Sequence, residues 1–241
     1  MPRLTDFKAL TFDCYGTLID WETGILDGLR PWQRRAAIKA TDDKLLEAFA
    51  EIESAIQTEH PAMLYPDTLA TALKKLAGRY QSSATGDEAR AFGQSVKDWP
   101  AFPDSAAALA YLKRHYKLVI VSNVDRRSFA ESNKRLGVEF DLVVTAEDVG
   151  CYKPALRHFE RALGQLAEMG IGKERVLHTA QSLYHDHVPA KQMGLTSIWI
   201  NRRTGKSGGG ATKAPPVPVK PDWEVPSMAA MVELHRRESS G

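Results

Sequence analysis

Short apolar runs separated by helical patterns recur along most of the chain. Four of them end in polar residues and lie at residues 9–12, 118–121, 176–179 and 197–200. A weaker fifth run covers residues 142–145. Buried strands that alternate with helices are typical of a parallel sheet covered on both faces. The pattern therefore predicts an α/β fold.

A long insertion separates the first strand from the second. About a hundred residues lie between them, whereas a simple βαβ unit needs roughly thirty. Apolar residues recur at helical spacing in groups that begin at Leu45, Leu69 and Ala89. We therefore predict a helical cap over residues 20–98, which would control access to the strand ends. The core would then comprise residues 1–19 and 99–241.

The C-terminal part of the chain changes composition twice. Residues 203–221 are rich in Gly, Pro and Lys, which predicts a mobile surface loop. Residues 223–225 then favour a last short strand. A terminal helix is expected over residues 228–237, with Ser227 as its N-cap.

Composition narrows the classes of partner. The chain has 241 residues, 43% hydrophobic and 26% charged, which is the balance of an ordinary globular protein. Its 32 Lys and Arg against 30 Asp and Glu give a net charge of +2, and the basic residues are dispersed. We therefore expect a small-molecule partner, with no nucleic acid and no membrane surface.

Two observations bear on the compartment. No apolar stretch is long enough for a signal peptide or a membrane span, so we expect a cytoplasmic protein. The two cysteines, Cys14 and Cys151, are too few for a disulfide framework or for a zinc site of four soft ligands. Both are expected to remain thiols.

Polar side chains follow the predicted strands at the points where ligands bind in open parallel sheets. They are Asp13, Ser122, Asn123, Lys153 and Asp186. Each alone is also compatible with an ordinary role as a helix cap, a turn residue or a solvated charge. Lys153 precedes Pro154, which we expect to begin the next helix. At a strand end near Asp13, the lysine would keep that carboxylate ionised.

The order of these motifs resembles the haloacid dehalogenase superfamily over nearly the whole chain. The motifs are DCYGTL at residues 13–18, VSN at 121–123, YKP at 152–154 and Asp186. The resemblance implies a Rossmann-like parallel sheet core with an inserted helical cap. The stretches at residues 199–202 and 221–227 are similar to the L-2-haloacid dehalogenase branch.

The residue two places after Asp13, which the resemblance implies is the nucleophile, favours that branch. Phosphatases of the superfamily carry a second aspartate there, because an alkoxide leaving group needs a proton from a general acid. This chain has Tyr15 at that position. A halide leaves as a weakly basic anion and needs no proton. We therefore predict a hydrolase that displaces halide from a small 2-haloalkanoic acid.

The resemblance implies a role for each motif residue. Asp13 would attack the carbon that bears the halogen, and water would hydrolyse the resulting ester to a 2-hydroxy acid. Lys153 would steady Asp13, and Asp186 would hold Lys153 or help to activate the water. The groups expected to bind the anionic substrate are Thr17, Ser122, Asn123 and the backbone N–H groups of Cys14 and Tyr15.

The chain departs from this resemblance at the expected halide pocket. Enzymes of this type commonly use an arginine from the first long cap helix, whereas residues 41–60 contain none. The fourth motif has Gln181 and Leu183 where those enzymes place a serine and an asparagine. Candidates to replace the arginine are Arg30, Arg34, Arg35, Trp21 and Gln57.

Two alternatives to dehalogenation remain open from the sequence. One is a magnesium-dependent phosphohydrolase of the same superfamily, which would act on a small phosphorylated metabolite. The other is a non-catalytic small-anion binder. His185, Asp186 and His187 supply a single carboxylate, a weak pattern for magnesium, so we expect neither a metal nor a cofactor. The resemblance also allows a homodimer.

Overall fold

A six-stranded parallel sheet lies at the centre of the computed structural model, which describes residues 2–205 and 210–240. Its strands are β1 (Ala9–Phe12), β2 (Lys117–Ser122), β3 (Leu142–Thr145), β4 (Val176–Ala180), β5 (Thr196–Ile200) and β6 (Trp223–Val225). Their order across the sheet is β3-β2-β1-β4-β5-β6, and every pairing is parallel. The predicted α/β fold with a parallel sheet is confirmed.

The two faces of the sheet bury separate apolar clusters. Leu118 and Ile120 of β2 belong to one cluster, whereas Val119 and Val121 belong to the other. This division follows from the strand geometry, in which successive side chains point to opposite faces. It explains why the central strands are continuous apolar runs and do not alternate with polar residues.

Helices cover both faces and fill the segment between β1 and β2. They are α1 (Trp21–Arg35), α2 (Asp42–Glu59), α3 (Tyr65–Arg79), α4 (Gly86–Gly93), α5 (Ser105–Leu112), α6 (Arg126–Leu136), α7 (Ala146–Val149), α8 (Arg157–Glu168), α9 (Val188–Gln192) and α10 (Met228–Ser239). Helices α1 to α4 all lie within residues 20–98, and their N-caps include Asp20, Thr41 and Thr85. The division into core and cap at residues 19 and 99 stays a prediction.

The two ends of the inserted segment lie side by side. The backbone N–H of Asp20 donates to the carbonyl of Pro100 at 2.8 Å, and that of Phe102 donates to the carbonyl of Leu18 at 3.0 Å. Trp99 packs beside this junction and is fully buried. The chain therefore enters and leaves the inserted helices through one paired neck.

Two local expectations differ from the structure. Helix α8 begins at Arg157, three residues after Pro154, and the Lys153-Pro154 peptide bond is cis. The expected mobile loop at residues 203–221 includes residues 206–209, which lie outside the described residues. Beyond them, Ala211 is buried and its N–H donates to Glu22 of α1 at 2.9 Å.

The C-terminal helix begins where the sequence predicts. The Ser227 hydroxyl accepts a hydrogen bond from the backbone N–H of Ala230 at 3.0 Å, as an N-cap does. None of the helices that the structure describes is long and apolar enough to cross a membrane.

Candidate active site

One cavity lies where the carboxyl ends of the central strands meet. Asp13 follows β1, Ser122 ends β2, and Asp186 lies in a π-helical turn over Leu183–His187, after β4. Lys153 reaches the same place from the loop between α7 and α8. These side chains line a narrow cleft, part of it open to solvent. In open parallel sheets, ligands bind at this end of the strands.

Lys153 joins the two carboxylates at the bottom of this cavity. Its Nζ lies 2.9 Å from Oδ1 of Asp13 and 2.7 Å from Oδ1 of Asp186. The third ammonium donor bonds to the carbonyl of Val121 at 2.9 Å. An ammonium has three donors, so all of them are used. Lys153 is therefore held in one position, with Asp13 beside it.

Charge and burial together set the protonation of these groups. Burial acts to lower the pKa of the Lys153 ammonium, but the two carboxylates beside it raise that pKa above its ordinary value. Burial acts to raise the pKa of Asp186, but Lys153 and His178 together hold it well below its usual range. Burial raises the pKa of the Asp13 carboxyl, the Asp186 charge adds to this, and Lys153 counteracts it.

Thr17 holds the second oxygen of Asp13. Its hydroxyl donates to Oδ2 at 2.9 Å and accepts from the backbone N–H of Gln181, also at 2.9 Å. The Thr17 side chain is fully buried and does not line the cavity. The structure therefore places Thr17 against Asp13, whereas the resemblance implied a contact with substrate.

The turn after Asp13 presents backbone donors. Gly16 has φ of +90°, a conformation that glycine adopts readily. Within the described part of the chain, the backbone N–H groups of Cys14 and Tyr15 donate no hydrogen bond to another backbone group. The Cys14 side chain is fully buried and lies outside the cavity lining. Cys14 therefore has only its N–H to offer to an anion.

Ser122 and Asn123 both line the cavity but differ in availability. The hydroxyl of Ser122 is buried without a hydrogen-bond partner in the described residues. The amide of Asn123 accepts from the Lys153 N–H at 2.7 Å and donates to the Lys153 carbonyl at 3.2 Å. Ser122 is therefore free to bind a ligand oxygen, whereas Asn123 positions the backbone of Lys153.

The Tyr15 hydroxyl is bonded away from Asp13. It pairs with the hydroxyl of Ser132 at 2.9 Å, and the ring packs edge-on against Trp99 at 5.5 Å. Burial raises the pKa of the Tyr15 phenol well above its ordinary value. The residue two places after Asp13 thus supplies a buried aromatic wall and no carboxylic acid.

The inserted helices supply the opposite wall of the cavity. Glu53 and Gln57 reach it from α2, and Tyr65 reaches it from the start of α3. Glu53 is only 4% exposed and accepts a hydrogen bond from the Tyr65 hydroxyl at 2.8 Å. Burial raises the pKa of the Glu53 carboxyl to about 7.

Sequence reasoning missed Glu53, although a signal for it exists. It lies four residues after Phe49 and three before Ile56, both of which are fully buried. Positions with this spacing share one face of a helix. A glutamate in the apolar stripe of α2 therefore marks a buried carboxyl.

A comparison of the chain with known families now adds to this geometry. The haloacid dehalogenase-like hydrolase family model matches residues 7–179. The chain belongs to the haloacid dehalogenase-like hydrolases. The resemblance inferred from the motifs is confirmed.

Relatives of this hydrolase differ in the activity for which they are named. (S)-2-haloacid dehalogenase of Pseudomonas sp. strain YL is 34% identical over 138 residues, which are 55% of this chain and 52% of that protein. Glyceraldehyde 3-phosphate phosphatase of Methanothermobacter thermautotrophicus is 35% identical over 103 residues, 42% of this chain and 44% of that protein. The chain thus matches about half the length of each.

Solved structures share the fold of this hydrolase from end to end. The L-2-haloacid dehalogenase from Xanthobacter autotrophicus with chloropropionic acid covalently bound has a TM-score of 0.76 at 18% identity. The match covers 95% of this chain and 98% of that one. At this identity the likeness shows a common fold.

The arginines that the sequence offered as candidates for a halide pocket lie away from the cavity of this hydrolase. Arg30 bonds to Gln33 and Asp42, and Arg35 bonds to Glu88 at the surface. Arg34 is exposed. Of the candidates, Trp21 and Gln57 line the cavity.

The residues of this haloacid dehalogenase-like hydrolase do not fit a divalent cation. Asp13 and Asp186 each turn Oδ1 to the Lys153 ammonium, and Oδ2 of Asp13 accepts from Thr17. Of these two carboxylates, only Oδ2 of Asp186 has no partner in the described residues, and one free oxygen is too few for a divalent cation. Residues 2–205 and 210–240 contain no group of three His, Cys, Asp or Glu side chains able to hold a metal ion.

The two histidines beside Asp186 have different surroundings. His187 is buried, with its ring nitrogens bonded to Ser197 and to the carbonyl of Ala180. His185 bonds to Ser182 at 3.2 Å and lines the cavity. Burial lowers the pKa of both imidazoles to about 4, so both are neutral at pH 7.

Proposed function

We propose that this hydrolase is of the 2-haloacid dehalogenase type and displaces halide from a small 2-haloalkanoic acid. One observation carries the proposal. Asp13 is oriented by Lys153 and Thr17, while the position that would hold a general acid is occupied by Tyr15, whose hydroxyl bonds to Ser132. A nucleophile without an acid partner suits a leaving group that needs no proton.

In the first step, an Asp13 oxygen forms a bond to the halogen-bearing carbon. The carbon–halogen bond breaks and the halide leaves with the electron pair, so no proton moves. The Ser122 hydroxyl and the N–H groups of Cys14 and Tyr15 are the donors available for the substrate carboxylate. The product of this step is an ester of Asp13.

In the second step, water attacks the carbonyl carbon of that ester. The acyl carbon–oxygen bond breaks, and one proton of the water ends on the leaving alkoxide oxygen, which becomes the hydroxyl group of the 2-hydroxy acid. The other proton is released to solvent as the Asp13 carboxylate is restored. Oδ2 of Asp186 is buried without a partner in the described residues. It is therefore available to hydrogen-bond the attacking water, while Lys153 steadies the charge on the Asp13 carbonyl oxygen.

A phosphohydrolase is the second candidate, favoured by the 35% identity to a phosphatase over 103 residues. That chemistry requires a proton for the leaving alkoxide. Tyr15 offers only a phenol engaged with Ser132. This candidate is therefore the weaker one.

Halide release tests the proposal directly. Wild type and Asp13→Asn are incubated with chloro-, bromo- and fluoro-acetate and propionate, without added metal. We expect halide from wild type only. In water enriched in heavy oxygen, a single turnover places one heavy oxygen in Asp13, which mass spectrometry detects. No halide from the whole panel, with phosphate released from an aryl phosphate in magnesium, would instead establish the second candidate. No turnover of either class would leave a small-anion binder.

A further inference from the structure

We propose that Glu53, with Gln57, is a specificity-determining residue that reads a hydrogen-bond donor on the substrate, an ammonium or a hydroxyl group. The substrate class would then be a small acid with its carboxylate at the Ser122 end of the cavity and a donor group at the α2 end. The inference rests on the proposed function for the identity of the acid. The preference for a donor group follows from Glu53 and Gln57 alone and does not depend on the proposed function.

The geometry of Glu53 leaves one oxygen for a ligand. In the described part of the chain, the Tyr65 hydroxyl is the only hydrogen-bond partner of the Glu53 side chain, and it bonds Oε1. Oε2 therefore has no partner, although the side chain is almost fully buried and lines the cavity. Unlike the hydroxyl of Ser122 and Oδ2 of Asp186, Oε2 keeps access to the cavity, where a ligand that donates a hydrogen bond can reach it.

Gln57 adds a second group to the same wall. It lies four residues after Glu53 on α2, so both side chains project from one face of the helix. The residue is largely buried, and its amide faces the cavity and forms no hydrogen bond with the residues that the structure describes. Above pH 7, where Glu53 is ionised, the wall thus combines an acceptor-only carboxylate with an amide that can accept or donate.

Cations of the described chain do not neutralise Glu53. The Lys153 ammonium lines the same cavity, but its three donors are already used by Asp13, Asp186 and the Val121 carbonyl. Arg30 bonds to Asp42 instead. A buried carboxyl in a cleft without a cation partner is a candidate for ligand recognition.

The negative charge of the ionised Glu53 carboxylate decides which substituent fits against this wall. A halide or a second carboxylate placed against Oε2 would meet another negative group, and a methyl group would leave that oxygen unpaired. An ammonium or hydroxyl group would supply the missing donor. Sites built to hydrogen-bond a substrate OH or NH group discriminate strongly against analogues that lack it. The wall therefore favours an amino- or hydroxy-substituted acid over an unsubstituted one.

Product binding tests the donor independently of turnover. Lactate, glycerate and isoserine are 2-hydroxy acids whose third carbon carries a hydrogen, a hydroxyl group and an ammonium group, respectively. Calorimetry is performed above pH 7, where Glu53 is ionised. We expect isoserine and glycerate to bind roughly 10-fold or more tightly than lactate, with isoserine first, because a buried carboxylate gains most from a charged donor.

A matched pair of variants tests whether Glu53 causes the preference for isoserine over lactate. Glu53→Gln retains an oxygen that accepts from Tyr65 and should reduce the ratio of isoserine to lactate affinity by about 10-fold. Glu47→Gln, exposed on the same helix, should retain the wild-type ratio. Equal binding of the three acids, no binding by any of them, or a preference that survives Glu53→Gln would overturn the inference.

Halide release separates this inference from the proposed function. The substrates are 2-chloropropionate and its 3-hydroxy and 3-amino derivatives, with Asp13→Asn as the blank for spontaneous loss of chloride. If none releases halide but the preference among the three products holds, the proposed function fails and the reading of Glu53 stands. If all three are turned over with equal kcat/KM and the products bind equally, the reading of Glu53 fails and the dehalogenase proposal stands.

Discussion

The hydroxyl of Thr17 donates a hydrogen bond to Oδ2 of Asp13 at 2.9 Å, from a position that no solvent reaches. Because Lys153 bonds the other oxygen, both oxygens of the proposed nucleophile have a fixed partner. The carboxylate plane is therefore set before a substrate arrives, which is the preorganisation that a displacement reaction needs.

Thr17→Val should weaken catalysis by disordering Asp13. Misplacement of a reacting group by an ångström can cost about 100-fold in rate, so we expect kcat to fall roughly 10- to 100-fold. Thr17→Ser keeps the donor and should remain close to wild type. The measurement is kcat and KM for any acid that wild type turns over. Equal rates for the two variants would show that Thr17 does not orient Asp13.

Lys153→Met should destabilise the fold. It leaves Asp13 and Asp186 as buried carboxylates without their common cation, and breaking a buried pair in this way costs about 3–5 kcal/mol. Lys117→Met removes a half-exposed partner of Asp141 and should cost less than about 1 kcal/mol. Urea unfolding at pH 7 compares the two variants with wild type. A Lys153→Met protein as stable as Lys117→Met would contradict the buried ion-pair arrangement.

Activity should show an acid limb set by Asp13. The nucleophile must be ionised, and its pKa is raised by burial and by the Asp186 charge, so kcat/KM should rise with pH above the ordinary aspartate range. Asp186→Asn removes one of these causes and should move the limb to lower pH. The pH profiles of kcat/KM for wild type and variant test this. A limb that moves to higher pH would mean that Asp13 does not set it.

Glu53 should make the fold less stable in base. The pKa of Glu53 in the folded protein, about 7, lies above the ordinary 4.5. Its contribution to the free energy of unfolding is therefore fully present below pH 4.5 and is lost as pH rises through 7. At one pKa unit per 1.36 kcal/mol, the loss is ~3 kcal/mol at pH 8. Glu53→Gln should therefore gain about that much at pH 8 and little at pH 4. Urea unfolding at the two pH values measures the difference. An equal gain in stability at both would contradict the raised pKa of the Glu53 carboxyl.

Much of the fold and half of the site follow from local patterns. A strand buried on both faces is readable as an apolar run, and its carboxyl end marks where ligands bind. That reasoning brings Asp13, Ser122, Lys153 and Asp186 together without knowledge of the intervening chain, and the structure places all four at one cavity.

The remaining features depend on tertiary packing. Glu53 reaches the cavity because α2 lies opposite the carboxyl ends of the strands. Helix periodicity alone cannot specify which core residue a helical residue faces. The amide of Asn123 could hydrogen-bond a ligand, but it is already bonded to the backbone of Lys153, thirty positions later. Hydrogen-bond competition between distant residues is invisible to motif spacing.

The paired neck of the inserted segment has an evolutionary consequence. Since residues 18–20 lie against residues 100–102, the helices between them can be replaced as one segment of chain with no change to the strands. Such an exchange would leave Asp13 and Lys153 in place and replace the wall that Glu53 and Gln57 supply. The carboxyl on α2 can therefore change independently of the residues that follow the strands.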